Sequence, residues 1–149
     1  MEIRWESTLP IRRFLEIYKS AYSQVGAYCY TKNRDIKRYM KWLYKHCKGS
    51  FIAEINGKIV GFVFPDANWI DESGRIGEIH EMCVEKNYKR RGIGKKLLLT
   101  SLEYFRGRKL KRAGLWVGEN NNIAINLYKK FGFKEVYKYG KWIRMTRDI

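Results

Sequence analysis

The stretch that most restricts the fold of this chain is residues 76–105, where a strand pattern passes through a basic glycine turn into a long amphipathic helix. Residues 76–84 read as a strand, and Lys89-Arg90-Arg91-Gly92-Ile93-Gly94-Lys95-Lys96 follows shortly after. Ile93, Leu97, Leu98, Ser101, Leu102 and Phe105 then recur at helical spacing. Glycine lets a backbone adopt positive φ and approach a ligand closely. The first turn of a helix offers unpaired N–H groups and a positive dipole end. Strand end, glycine turn and helix start therefore make a seat for an anion. The pattern is neither the dinucleotide G-x-G-x-x-G nor the P-loop. A bare glycine pair before a basic helix is more often a plain turn, so its weight comes from what surrounds it.

Around this passage helical and strand periods alternate, which predicts an α/β or α+β domain. Helices are expected over residues 10–22 and 34–47. Pro10 suits a first turn. Phe14, Leu15, Tyr18 and Tyr22 share one face of the first helix. Ile36, Tyr39, Met40, Leu43 and Cys47 form the stripe of the second, with Asn33 as its cap. Asn56-Gly57 between the β-rich runs 51–55 and 58–64 is a hairpin signal, because both residues tolerate positive φ. Residues 65–77 read as a loop, with Asp71, Ser73 and Gly74 as turn formers. Further on come a strand at 113–117, a helix at 123–131 closed by Gly132, and a hairpin of 134–139 with 141–147. A short strand at 2–5 precedes them all.

The 149 residues suit one domain, 1–149, long enough to bury a core. No apolar run approaches the ~18 residues a membrane span needs, and no signal-peptide pattern opens the chain. A cytoplasmic protein with no membrane partner is expected. Cys29, Cys47 and Cys83 are scattered and odd in number, which argues against a disulfide framework or a zinc motif, and no metal is expected. The 31 Lys and Arg against 15 Asp and Glu give a net charge of +16. Such a field favours anionic partners, a polyphosphorylated cofactor or nucleic acid among them.

At the glycine turn the chain resembles the GNAT superfamily of N-acetyltransferases. That family's signature is Arg or Gln, two residues, Gly, one residue, then Gly or Ala, after its fourth strand, and it grips the coenzyme A pyrophosphate. Lys89-Arg90-Arg91-Gly92-Ile93-Gly94 matches it, with Lys89 keeping the charge of the first position and losing the planar fork. Asn121-x-x-Ala124-x-x-Leu127-Tyr128-x-x-x-Gly132-Phe133 resembles the family's second coenzyme segment, and the Asn-Gly hairpin before Gly61-Phe62-Val63 its second and third strands. The resemblance runs from about residue 51 to 133. It implies a GNAT-like α/β fold, with a mostly antiparallel mixed sheet of about six or seven strands and about four helices. It also implies an enzyme that transfers acetyl from acetyl-coenzyme A to a primary amine, directly and in a ternary complex. Lys89, Arg90, Arg91, Gly92, Ile93, Gly94 and Lys95 would hold the pyrophosphate. Met82 and Cys83 would line the pantetheine, Val84 would offer its N–H to the thioester carbonyl beside a bulge, and Asn121 would bond the pantetheine or brace splayed strands.

Acyl transfer asks for a base, because a lysine (pKa ~10.4) or an α-amine (~8) is protonated at neutral pH. It also asks for an oxyanion donor and a proton for the departing thiolate. Regular alternation puts Glu78, His80 and Met82 on one face and Ile79, Glu81 and Cys83 on the other. The apolar run Met82-Cys83-Val84 breaks that alternation, as a bulge would. Glu78 matches the catalytic glutamate of the histone-acetylating branch and is the first candidate base. Glu81 is the second, His80 a relay, and a water chain stays open. Tyr128 resembles the family's general acid, with core packing as the alternative. The branch that acetylates ribosomal-protein N-termini has a glutamate where Trp116 stands here, so its mechanism does not carry over.

In the family the first helices and last hairpin shape the acceptor groove. Here they carry Tyr18, Tyr22, Tyr30, Tyr39, Trp42 and Tyr137, among others. A polyamine would be repelled by the net charge unless Asp66, Asp71 and Glu72 make the groove locally acidic. The acceptor stays open between a protein or peptide N-terminus, a lysine and a small amine, and the assembly between monomer and homodimer. Two other functions are compatible: a basic nucleic-acid-binding module, supported by the run 106–112 but without an RNP or helix-turn-helix pattern, and a GNAT-fold sensor that binds acetyl-coenzyme A without catalysis.

Overall fold

Strands and helices follow one another as β1 (Glu2–Glu6), α1 (Ile11–Ala21), α2 (Asn33–Cys47), β2 (Ser50–Ile55), β3 (Lys58–Asp71), β4 (Gly74–Val84), α3 (Ile93–Gly107), β5 (Arg112–Gly118), α4 (Asn122–Lys130), β6 (Lys134–Tyr139) and β7 (Trp142–Asp148). The computed structural model describes residues 1–23 and 28–149. The strands form one seven-stranded sheet in the order β1-β2-β3-β4-β5-β7-β6. Only β4 and β5 run parallel, as their connection through α3 requires. Every other neighbouring pair is antiparallel.

Each face of the sheet buries its own core. Leu97, Leu98, Leu102 and Phe105 of α3 pack with Val63, Ile79 and Leu115 on one side. Phe14 and Ile17 of α1 and Ile36, Met40 and Leu43 of α2 pack with Ile52, Phe62 and Phe64 on the other. Asn56 and Gly57 turn the β2–β3 hairpin with φ of 50° and 80°, the left-handed pair expected of Asn-Gly. The end of α4 is a Schellman motif: the Phe133 N–H donates to the Tyr128 carbonyl (3.0 Å) and the Gly132 N–H to Lys129 (3.1 Å), with Gly132 at φ 89°.

Two expectations are corrected. Residues 65–77 are not a loop: β3 continues to Asp71 and β4 starts at Gly74, so only the tip turns. Pro65 is tolerated there because it sits at a register shift, where a strand can lack a donor. Asn33 does not cap α2: Lys32 holds that position without a side-chain bond, and the Asn33 Oδ1 accepts from Lys19 Nζ at 2.8 Å.

The register shift also relocates the bulge. Phe64 faces Glu81 and Pro65 faces Ile79, so His80 is the extra residue of β4. The residues around it confirm the break in alternation. Ile79, Met82 and Val84 belong to the α3 side, whereas His80, Glu81 and Cys83 all meet partners on the α1/α2 side.

Candidate active site

Beyond Val84 the chain makes one 3-10 turn, Lys86–Tyr88, and then takes two left-handed steps, at Arg90 (φ 67°) and Gly92 (φ 76°). Such alternation curls successive N–H groups toward a common point, a nest for an anion. Gly92 is the N-cap of α3; no side chain bonds to that cap, and the first turn holds no acidic residue. The first helical bond runs from Lys96 N–H to the Gly92 carbonyl (3.1 Å), which leaves the preceding amides for a ligand. A Cβ placed on Gly94 would meet only ordinary contacts, 3.8 Å to Leu127 Cδ2 and Met82 Cε and 4.0 Å to Val84 Cγ2. The protein's own packing therefore does not require glycine there. Gly94→Val should weaken acetyl-coenzyme A binding about ten- to hundredfold, the equivalent of one charge-assisted hydrogen bond. Calorimetric titration would measure this, and thermal melting should stay near wild type.

The same contacts show how the segments meet. Gly94 of α3, Met82 and Val84 of β4 and Leu127 of α4 meet at one place. It lies where the sheet forks. β4 and β5 pair only at Gly77–Ala113, Glu78–Gly114 and Ile79–Leu115, after which β5 stays with β7 and leaves β4.

The remaining expected cofactor residues fall into groups. Arg91 lies over the Tyr88 ring at 5.0 Å and Lys95 over the Phe131 ring at 5.8 Å, both exposed beside the nest with Arg90. Lys89 turns away: its Nζ donates to the Ala21 carbonyl (3.2 Å) at the end of α1. Ile93 is buried, so its side chain belongs to the core rather than to the surface of the turn. The Cys83 side chain packs in the α1/α2 core, away from Met82 and Val84 on the α3 side. Asn121 caps α4, its Oδ1 accepting from Ala124 N–H (3.3 Å), which leaves its amide NH₂ for a ligand. Tyr128, near the other end of α4, is 8% exposed, and burial, reinforced by the Glu81 charge, pushes its phenol well above its ordinary pKa.

The two candidate bases occupy different settings. Glu78 is buried and paired fork to fork with Arg144, at 2.6 Å and 2.8 Å; Arg144 also donates to Asp71 at 3.0 Å. Glu81 keeps part of its surface exposed. Its carboxylate accepts from Tyr22 (2.5 Å), Tyr39 (2.9 Å) and the Cys83 thiol (3.6 Å). Burial raises its pKa, and the tyrosine bonds only partly offset that. His80 is turned to Asp66 (Nε2–Oδ2 2.9 Å), and no contact joins it to Glu81 as a relay among the described residues.

Tyr39 carries the site outward. It lines a hollow of about 390 Å³ with Tyr30, Asp35, Arg38 and Trp42. The aromatics that sequence did not sort thus divide: Tyr22 and Tyr39 hold Glu81, Tyr18 accepts the Tyr30 N–H (3.1 Å), and Tyr30 and Trp42 face solvent. The acidic residues expected to offset charge are committed elsewhere, Asp66 to His80, Asp71 to Arg144 and Ser73, and Glu72 to Tyr137.

The sheet forks beyond Ile79, α3 opens on a basic glycine turn, and β4 carries the hydrogen-bonded Glu81 carboxylate. The profile of the acetyltransferase (GNAT) family matches residues 11–133. An uncharacterised N-acetyltransferase of Methanocaldococcus jannaschii is 42% identical over 139 residues, covering 91% of this chain and 62% of that relative, so the chain spans less than two thirds of its length. One of Archaeoglobus fulgidus is 43% identical over 131 residues, covering 86% of this chain and 89% of its own. The crystal structure of a Pyrococcus horikoshii OT3 protein matches with a TM-score of 0.88 at 37% identity over 99% of both chains. The chain belongs to the acetyltransferase (GNAT) family. No helix of the described residues is long and apolar enough to cross a membrane.

Proposed function

We propose that this chain acetylates a primary amine carried on a peptide or protein, with Glu81 as base and Tyr128 as acid. The observation that carries the reading is the Glu81 carboxylate, held by Tyr22 and Tyr39 where Tyr39 also lines the hollow along α2. Glu78 has both oxygens engaged by a buried guanidinium, which disfavours it as a proton acceptor. The hollow is bounded by exposed Tyr30, Arg38 and Trp42, which suits a side chain or backbone laid across it. A net charge of +16 repels polycations and favours neutral or acidic acceptors.

In the reaction the amine nitrogen bonds to the thioester carbonyl carbon as the carbon–sulfur bond breaks. Glu81 takes the amine proton, and the departing thiolate becomes a thiol with a proton from Tyr128, which regains one from solvent. Burial keeps Tyr128 protonated and so able to donate.

Thiol release from acetyl-coenzyme A tests the acceptor. An acidic peptide with a free amine should exceed spermidine in kcat/KM by about tenfold or more in low salt, with the gap narrowing as salt screens the field. Faster turnover of spermidine would reject a peptide acceptor. Tyr128→Phe should lower kcat by about tenfold or more with acetyl-coenzyme A affinity intact; unchanged turnover would remove Tyr128 from the chemistry.

A further inference from the structure

We propose that Cys47, Asp66 and His80 form a binding site for one divalent transition-metal ion, zinc by the character of its donors. One sulfur, one carboxylate oxygen and one imidazole nitrogen lie within 4.8 Å of one another. They come from the end of α2, from β3 and from the extra residue of the β4 bulge, so no motif spacing announces them. Mixed sulfur, nitrogen and oxygen donors suit zinc or cobalt, whereas magnesium and calcium take oxygen alone.

The site is closed and largely prearranged. Cys47 is 6% exposed, Asp66 3%, and the His80 side chain 8%. Asp66 Oδ1 is fixed by the Asn68 N–H at 2.9 Å, and the His80 ring stands edge-on to Trp69 and Trp42 at 4.6 Å and 5.1 Å. Zinc–ligand bonds of about 2.0–2.3 Å place tetrahedral donors roughly 3.3–3.7 Å apart, so a pair at the full 4.8 Å would need to close by about 1.1–1.5 Å. The His80–Asp66 hydrogen bond explains two of the three groups but not the Cys47 thiol aimed at the same point, which forms no hydrogen bond among the described residues. Water or His46, whose ring lies 6.4 Å from that of His80, would complete the shell. Charges also balance: a dication with one carboxylate and one thiolate is neutral, which a buried position favours. Binding forms a metal–sulfur bond as the thiol gives its proton to solvent, one proton for each ion.

Cobalt(II) titration of the wild-type chain tests this. A sulfur-to-cobalt charge-transfer band with tetrahedral visible bands should saturate at one ion per chain and vanish when zinc is added. At a hundredfold excess over Kd, zinc should raise Tm by about 5–10 °C. Cys47→Ser should lose the charge-transfer band, His80→Gln should weaken binding at least tenfold, and Cys83→Ser should keep both. A folded wild-type chain without the band overturns the site, and so does a band that survives Cys47→Ser. If Cys47→Ser fails to fold, His80→Gln decides, and unchanged cobalt affinity there rejects the site.

Discussion

Glu81→Gln should slow acetyl transfer by about 10²–10⁴-fold, the usual weight of a positioned base, while acetyl-coenzyme A binds as before. Glutamine keeps a carbonyl oxygen to accept from Tyr22 or Tyr39, so the site stays assembled. What it loses is the capacity to take a proton. The pH profile gives a second readout. Burial holds Glu81 above the ordinary carboxylate range, so its basic form appears only above that raised pKa. In the wild type kcat/KM should therefore fall on acidification at a higher pH than an ordinary glutamate of about 4.3 would give. Tyr39→Phe removes a hydrogen bond that favours the ionised form and should move this limb to still higher pH. Glu81→Gln should remove the Glu81 contribution to the limb and leave only the fall set by protonation of the amine itself. Full activity in Glu81→Gln, with the limb intact, would return the role to Glu78 or to water.

The parts of this arrangement that sequence revealed are those set by local chemistry. Asn56-Gly57, Gly132 after α4 and the glycine turn at 92–94 each meet a backbone demand that few residues satisfy, so their identities announce their conformations. The bulge was misplaced because its cause lies on another strand. The apolar run at 82–84 suggested the break, yet the break falls at His80, across from Pro65. Proline inside a strand is confined to edges and bulges, so Pro65 carried the signal that a loop reading discarded. That one residue of register brings Glu81 to the face where Tyr22 and Tyr39 reach it. The engagement of Glu78 was hidden for a different reason: Arg144 is 66 residues away, and nothing local marks an arginine that will be buried. The cluster of Cys47, Asp66 and His80 was missed in the same way, since its spacing fits no ligand motif.

Arg144→Met should be among the most destabilising single substitutions in this chain. Arg144 is 1% exposed and Glu78 2%, and they share contacts of 2.6 Å and 2.8 Å. Removing the guanidinium leaves a buried carboxylate unpaired, which costs about 3–5 kcal/mol and, at this chain length, should lower Tm by about 10 °C or more. Asp71 loses less, because the Ser73 N–H and hydroxyl still donate to it. The double variant Glu78→Leu/Arg144→Met removes both charges and should recover much of the loss, since an apolar pair of similar volume is often as stable as a buried ion pair. Glu78→Gln should be milder than Arg144→Met, because a neutral amide still accepts a guanidinium hydrogen bond. The pair also stands at a particular place. Glu78 lies beside Gly114, one residue before the last β4–β5 pair, and a Cβ on Gly114 would come within 2.5 Å of Arg144 Nη2. The guanidinium thus spans from β7 across β5 to β4 at the apex of the fork, with Trp116 over it at 5.5 Å. Loss of the clasp should let the apex open and weaken acetyl-coenzyme A binding in step with Tm, and the double variant should recover both together. A folded Glu78→Gln protein with wild-type Tm and coenzyme affinity but little turnover would instead mean that Glu78 takes part in proton transfer.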